Sequence, residues 1–287
     1  MKILVVGGTR YFGKQLVKRL LKDGHDVTIA TRGRASDGFE DQVTRIIFNR
    51  LDKESIRAKL GRSSFDVVYD MICYTSNDAK NLLEVIQTKK YTMVSSSAVY
   101  KDGRGIKEEA FNPYDYPIQM VDRGTFTYAE EKRLAESVIF RDFKVPSIAV
   151  RFPVVIGEND YTKRLRFYVE RIVREEAIYV SNLKTHLSLI DEETAGSFLA
   201  YLANKNYVGP INACNEGEIT IEELIDMIEK SVGRKAILKE DGEVATYNEY
   251  GDNTLDTHRA KAIGYTFPRL EEKLLSIIKH EVSQISK

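Results

Sequence analysis

The chain has 287 residues, of which 43% are hydrophobic, so a packed globule is expected, and 43 basic side chains balance 43 acidic ones. A net charge of zero gives no general electrostatic pull toward nucleic acid or an anionic membrane surface, so nucleic acid and membrane are not expected partners. Two cysteines, Cys73 and Cys214, exclude a disulfide framework, and four histidines without ligand spacing exclude a metal cluster.

Ile3 to Val6 is a short apolar run ending at Gly7, which predicts a strand buried on both faces. This run is too short for a signal peptide or a membrane span, and a reducing cytoplasmic location is expected. Residues 13–23 put Leu16, Val17, Leu20 and Leu21 on one helical stripe, closed by Gly24. Strands are predicted at Val27 to Thr31, Arg45 to Phe48 and Phe65 to Cys73, followed by a helix carrying Leu82, Leu83, Val85 and Ile86. A fifth strand at Tyr91 to Ser96, a helix at Glu130 to Phe140 and a sixth strand at Ser147 to Phe152 complete an alternation that predicts an α/β fold. Its sheet should be parallel, with right-handed crossovers. Beyond Gly157 the pattern changes. Residues 158–183 mix charges and aromatics without strand alternation. Helices are then predicted over Thr220 to Val232, where Thr220 and Glu223 form a capping box, and over Leu270 to Val282.

The run Gly7-Gly8-Thr9-Arg10-Tyr11-Phe12-Gly13 lies between the first strand and the first helix. Glycines there permit a tight turn and close approach of the backbone to a pyrophosphate. The helix N-terminus adds free N–H groups and partial positive charge. The second strand ends at Thr31-Arg32-Gly33-Arg34, where an acid would receive the ribose hydroxyl of NAD. No acid is present, and Arg32 and Arg10 suit a 2′-phosphate, so NADP(H) is favoured over NAD(H). Tyr128 and Lys132, four residues apart, share a helical face. There the ammonium is expected to lower the phenol's pKa toward working pH. Ser95, Ser96 and Ser97 place three hydroxyls at a strand end, where parallel sheets gather function.

These segments resemble the extended short-chain dehydrogenase/reductase superfamily, in its NAD-dependent epimerase/dehydratase branch. The matching stretches are the glycine run, Ser95 to Tyr100, Tyr128-xxx-Lys132 with Ala135-Glu136, Arg151 to Gly157, His186 to Ala195 and Ile211 to Asn215. The resemblance implies a Rossmann-like doubly wound sheet at 1–157, to which 184–204 return, and a smaller mixed C-terminal substrate lobe from 158–183 and 205–287. It implies Ser96, Tyr128 and Lys132 as catalytic residues, with Lys132 also bonding the nicotinamide ribose. The implied cofactor site is Gly7 to Gly13, Thr31, Arg32, Cys73, Tyr74, Ser95, Phe152 and Val154, with Ser97 and Arg164 toward the substrate. The usual small-residue motif after the fourth strand is replaced by Met71-Ile72-Cys73-Tyr74, and Arg10 interrupts the glycine pattern. A subgroup with this Gly-Gly-Thr-Arg start contains nucleotide-sugar epimerases and also RNA-binding relatives. Three functions therefore stand: a nucleotide-sugar epimerase or dehydratase, an NADP(H) reductase of a smaller hydroxy or keto compound, and a non-enzymatic binding module. Lys163, Arg164, Arg166, Arg171 and Arg174 crowd one segment and would suit a diphosphate, unless the interleaved Glu170, Glu175 and Glu176 make it a solvated helix face. The resemblance also implies a homodimer through helices near 78–89 and 128–140.

Overall fold

The computed structural model describes residues 1–285. Seven parallel strands form the main sheet: β1 (Lys2–Val6), β2 (Asp26–Thr31), β3 (Thr44–Ile47), β4 (Ser64–Asp70), β5 (Gln87–Ser96), β6 (Ser147–Phe152) and β7 (Gly209–Asn212), in the spatial order β7-β6-β5-β4-β1-β2-β3. The order reverses between β1 and β4, the point at which an open parallel sheet leaves a crevice beyond its strand ends. Alternate residues of the apolar strands feed two cores. Ile3, Val5, Ile29 and Val150 pack with α1 (Tyr11–Lys22) and, through Phe198 and Leu199, with α6 (Glu192–Leu202). Leu4, Val6, Val68 and Met93 pack on the other face under α2 (Lys53–Leu60), α3 (Ser76–Leu83) and α4 (Tyr128–Asp142).

A third core joins α5 (Arg164–Arg174), α7 (Ile221–Val232) and α8 (Leu270–Ile285). It holds Leu165, Tyr168, Leu224, Ile228, Leu274 and Ile278. Thr220 caps α7 through the expected reciprocal box with Glu223. Two short strands, Leu189–Asp191 and Val154–Ile156, pair in parallel just past the end of β6.

The structure departs from the sequence reading in three places. Gly209–Asn212, assigned to the substrate lobe, pairs with β6 as the edge strand of the main sheet, because Pro210 and Ile211 register with Ala149 and Val150. The stretch 158–183 contains α5, whose buried stripe of Leu165, Tyr168, Val169 and Ile172 is helical in period but interleaved with charge. Val85 and Ile86 follow α3 instead of belonging to it; its N-terminus is fixed by a Thr75–Asp78 capping box. No helix among the described residues is long and apolar enough to cross a membrane.

Candidate active site

The glycine loop turns on backbone that only glycine adopts freely: Gly7 and Gly8 have φ of +100° and +85°. A Cβ on Gly8 would lie 2.7 Å from Val5 Cγ1, and one on Gly13 would lie 2.8 Å from the Gly8 Cα. Loop and helix therefore touch backbone to backbone, leaving a cradle over the start of α1. No side chain caps that helix and no acid occupies its first turn, so its N–H groups and dipole face the cradle. These features fit a dinucleotide pyrophosphate. Replacing Gly13 by Ala is expected to overpack this contact and cost about 1–3 kcal/mol, read as a lower urea midpoint at unchanged slope.

The cradle opens into a cavity of about 550 Å³ lined by all of Gly7 to Gly13 and by Thr31, Arg32, Arg34, Tyr74 and Arg123. A second cavity, of about 580 Å³, is lined by Ser95, Ser96, Ser97, Tyr128, Lys132, Phe152, Val154 and Arg164. Tyr11, Phe12, Met71, Tyr74 and Tyr161 line both, so the two form one continuous cleft across the switch point. Every site residue expected from the sequence lies on it except Cys73. The Cys73 side chain is fully buried in the core beneath β4, because the chain turns inward there, and only its carbonyl faces the site. The segment 158–183 contributes Arg164 alone among its expected cations. Arg166 pairs with Glu170 and Glu281, and Arg171 with Glu176 and Glu243.

Lys132 is 2% exposed and donates to Cys73 O at 2.6 Å and Val94 O at 2.8 Å. It thereby ties the ends of β4 and β5 together. Burial lowers its pKa below the ordinary lysine value. The expectation that it lowers the Tyr128 pKa is corrected. Burial raises the Tyr128 phenol above its ordinary value, and the opposing influences are a hydrogen bond with Ser96 and the charge of Arg164. Lys132 lies 5.7 Å from the Tyr128 ring centroid but 4.8 Å from that of Tyr74, so its charge is spent on the second ring and on two carbonyls.

Two buried networks that sequence reasoning missed hold this geometry. Arg151, fully buried, pairs with fully buried Glu136 and donates to Tyr100 Oη and the carbonyls of Glu108 and Phe111, while Ser95 Oγ donates to Glu136. The Glu136 and Arg151 of the two recognised motifs are thus partners in one scaffold. Arg50 pairs with Asp70 and Asp78, Tyr91 Oη donates to Asp70, and Arg123 pairs with Asp78, which anchors the loop after β4. Nothing in the spacing of Arg50, Asp70 and Arg123 signals the pairing.

With the cleft described, the class is plain. Residues 3–205 match the NAD dependent epimerase/dehydratase family, and the chain belongs to it. A UDP-glucose 4-epimerase from Thermotoga maritima has the same fold, at a TM-score of 0.78 and 15% identity, covering 99% of this chain and 100% of that one. So does a UDP-glucuronic acid 4-epimerase from Bacillus cereus, at 0.75 and 16%, covering 100% and 99%. The chloroplast stem-loop binding protein of 41 kDa b from Arabidopsis thaliana is 25% identical over 252 residues. That match covers 81% of this chain and 63% of the relative's length.

Proposed function

We propose that the protein is an NADP(H)-dependent enzyme of the epimerase/dehydratase kind, acting on a hydroxyl or keto carbon of a nucleotide sugar. The observation that carries this reading is the continuity of the glycine cradle with a cavity holding Ser96, Tyr128 and Lys132. Gly7 to Gly13 would receive the pyrophosphate, and Phe152 and Val154 would border the nicotinamide. The nicotinamide, when bound, supplies the acceptor or donor of a hydride. Tyr128 gives a proton to, or takes one from, the substrate oxygen. Ser96 holds that oxygen, and Lys132 keeps the ends of β4 and β5 in register beneath it. Turnover of UDP-glucose and related sugar nucleotides, followed by mass spectrometry of the products, tests the reading; a panel with no conversion under either cofactor rejects the nucleotide-sugar substrate.

Arg10, Arg32 and Arg34 are exposed and line the cofactor cavity, and their side chains make no hydrogen bond or ion pair among the described residues. The nearby Asp37 is occupied by Arg45, and Thr31 Oγ1 accepts from Gly33 N. Free guanidinium groups and no free acid favour a 2′-phosphate. NADPH is therefore expected to bind at least about tenfold more tightly than NADH, a difference of about 1.4 kcal/mol, and Arg32→Ala should remove most of it. Equal or tighter NADH binding in a fluorescence titration would refute the preference.

Two further readings have their own support. Among the described residues, Arg164 and buried Lys132 are the only cations lining the second cavity, which Asp102 and Glu249 also line. This lining also suits a smaller hydroxy or keto compound reduced by NADPH. The Arabidopsis relative is named for binding a stem-loop, and retention of stem-loop RNA that falls steeply with salt would support a binding role here.

A further inference from the structure

We propose that the substrate carries a protonated amine, received by Asp102 and Glu249 on the wall of the second cavity; this deepens the nucleotide-sugar reading above, on which it rests, and names the class as an amino sugar. The wall is built by tertiary pairing. Strand Gly103–Ile106 runs parallel to strand Asn253–Leu255, with Gly103 in register with Asn253, and Gly103 N donates to Asp252 O at 2.6 Å. This pairing sets Asp102 beside 249–253, segments far apart in the chain. Asp102, Glu249, Gly251 and Asn253 all line the cavity that also holds Ser96 and Tyr128.

Asp102 has a built seat. The Gly251 backbone lies outside the left-handed region, so conformation does not call for glycine there, and space does. A Cβ at Gly251 would lie 2.5 Å from Asp102 Cγ and overlap its carboxylate. The carboxylate so placed accepts no hydrogen bond among the described residues, and the side chains of Glu249 and Asn253 have no partner among them either. Ser97 gives an independent sign of a ligand. It lines the same cavity, is 7% exposed, and its hydroxyl makes no hydrogen bond among the described residues. A buried hydroxyl costs free energy unless a ligand or water completes it.

Charge decides which group the wall receives. Besides the two carboxylates, Lys132 and Arg164 line the cavity. Lys132 is 2% exposed, and its ammonium is held by the Cys73 and Val94 carbonyls. Arg164, whose Nη1 reaches Thr162 Oγ1 at 3.4 Å, is the open cation and takes the phosphate of a sugar nucleotide. Both carboxylates are then uncompensated in a complex that has gained further negative charge. A sugar hydroxyl would donate to them but leave that charge in place. An ammonium donates up to three hydrogen bonds and cancels it as well. A sugar that itself bears a carboxylate meets repulsion.

Isothermal titration of the NADPH-bound protein with UDP-glucosamine, UDP-glucose and UDP-glucuronic acid, at about pH 6 where the amine is protonated, reads the preference. UDP-glucosamine should bind at least about tenfold more tightly than UDP-glucose, with UDP-glucuronic acid the weakest. Asp102→Asn combined with Glu249→Gln should abolish the preference at an unchanged thermal midpoint, since neither side chain bonds to the fold. Gly251→Ala, which keeps both charges but displaces the Asp102 carboxylate, should reduce it. Equal binding of UDP-glucosamine and UDP-glucose, or a preference that survives in the double variant, overturns the assignment. Failure of all three to bind counts against the nucleotide-sugar reading. The amine site is then decided by saturation-transfer NMR with glucosamine and glucose: selective binding of glucosamine upholds it, and the lack of any such preference overturns it.

Discussion

Replacing Tyr128 by Phe is expected to lower turnover by about 10²- to 10⁴-fold while leaving the thermal midpoint and cofactor affinity nearly unchanged. The ring can keep its place, since only the hydroxyl is removed and the backbone begins α4 under a Thr127 cap. What disappears is the phenol hydroxyl that hydrogen-bonds Ser96. The pH dependence has a definite sign. Because burial holds the Tyr128 pKa above its ordinary value, the group is a protonated acid through neutral pH. Reduction of a ketone, which consumes that proton, should be flat through neutrality and fall only above about pH 10. Oxidation of an alcohol, which needs the base, should climb over the same alkaline range. Both profiles follow from initial rates of kcat/KM in the two directions. Full turnover by the Tyr128→Phe protein would remove Tyr128 from the chemistry.

The second large effect is on stability. Arg151→Met is expected to cost about 3–5 kcal/mol, because it strands Glu136 as an unpaired carboxylate in a fully buried site. This is a large fraction of the roughly 5–15 kcal/mol by which globular proteins are stable. The same substitution frees the carbonyls of Glu108 and Phe111. Adding Glu136→Leu should recover part of the loss, since the burial penalty of the charge goes with it. Urea midpoints at constant slope measure both changes; a loss below about 1 kcal/mol in the single variant would show that Glu136 finds another partner. The consequence reaches the cleft directly, because Ser95, next to Ser96, donates to the same carboxylate.

Much of this protein was legible in its chain. Strand and helix periods, the Gly8–Gly13 contact and the Thr220–Glu223 box are local, encoded in residues that touch neighbours a few positions away. The paired motifs also converge on one cleft, which Ser96, Tyr128, Arg164 and the glycine run all line. Tertiary structure decided what distance in sequence hides. Arg151 meets Glu136 across 15 residues, Arg50 meets Asp70 across 20, and Lys132 reaches the Cys73 carbonyl across 59. It also decided which cations are spent on acids and which remain open to a ligand. Helical spacing alone places Lys132 on the same face as Tyr128, but an ammonium favours whichever oxygens and rings lie closest in space. Here those belong to Cys73, Val94 and Tyr74, brought to it by strand ends that no local pattern records.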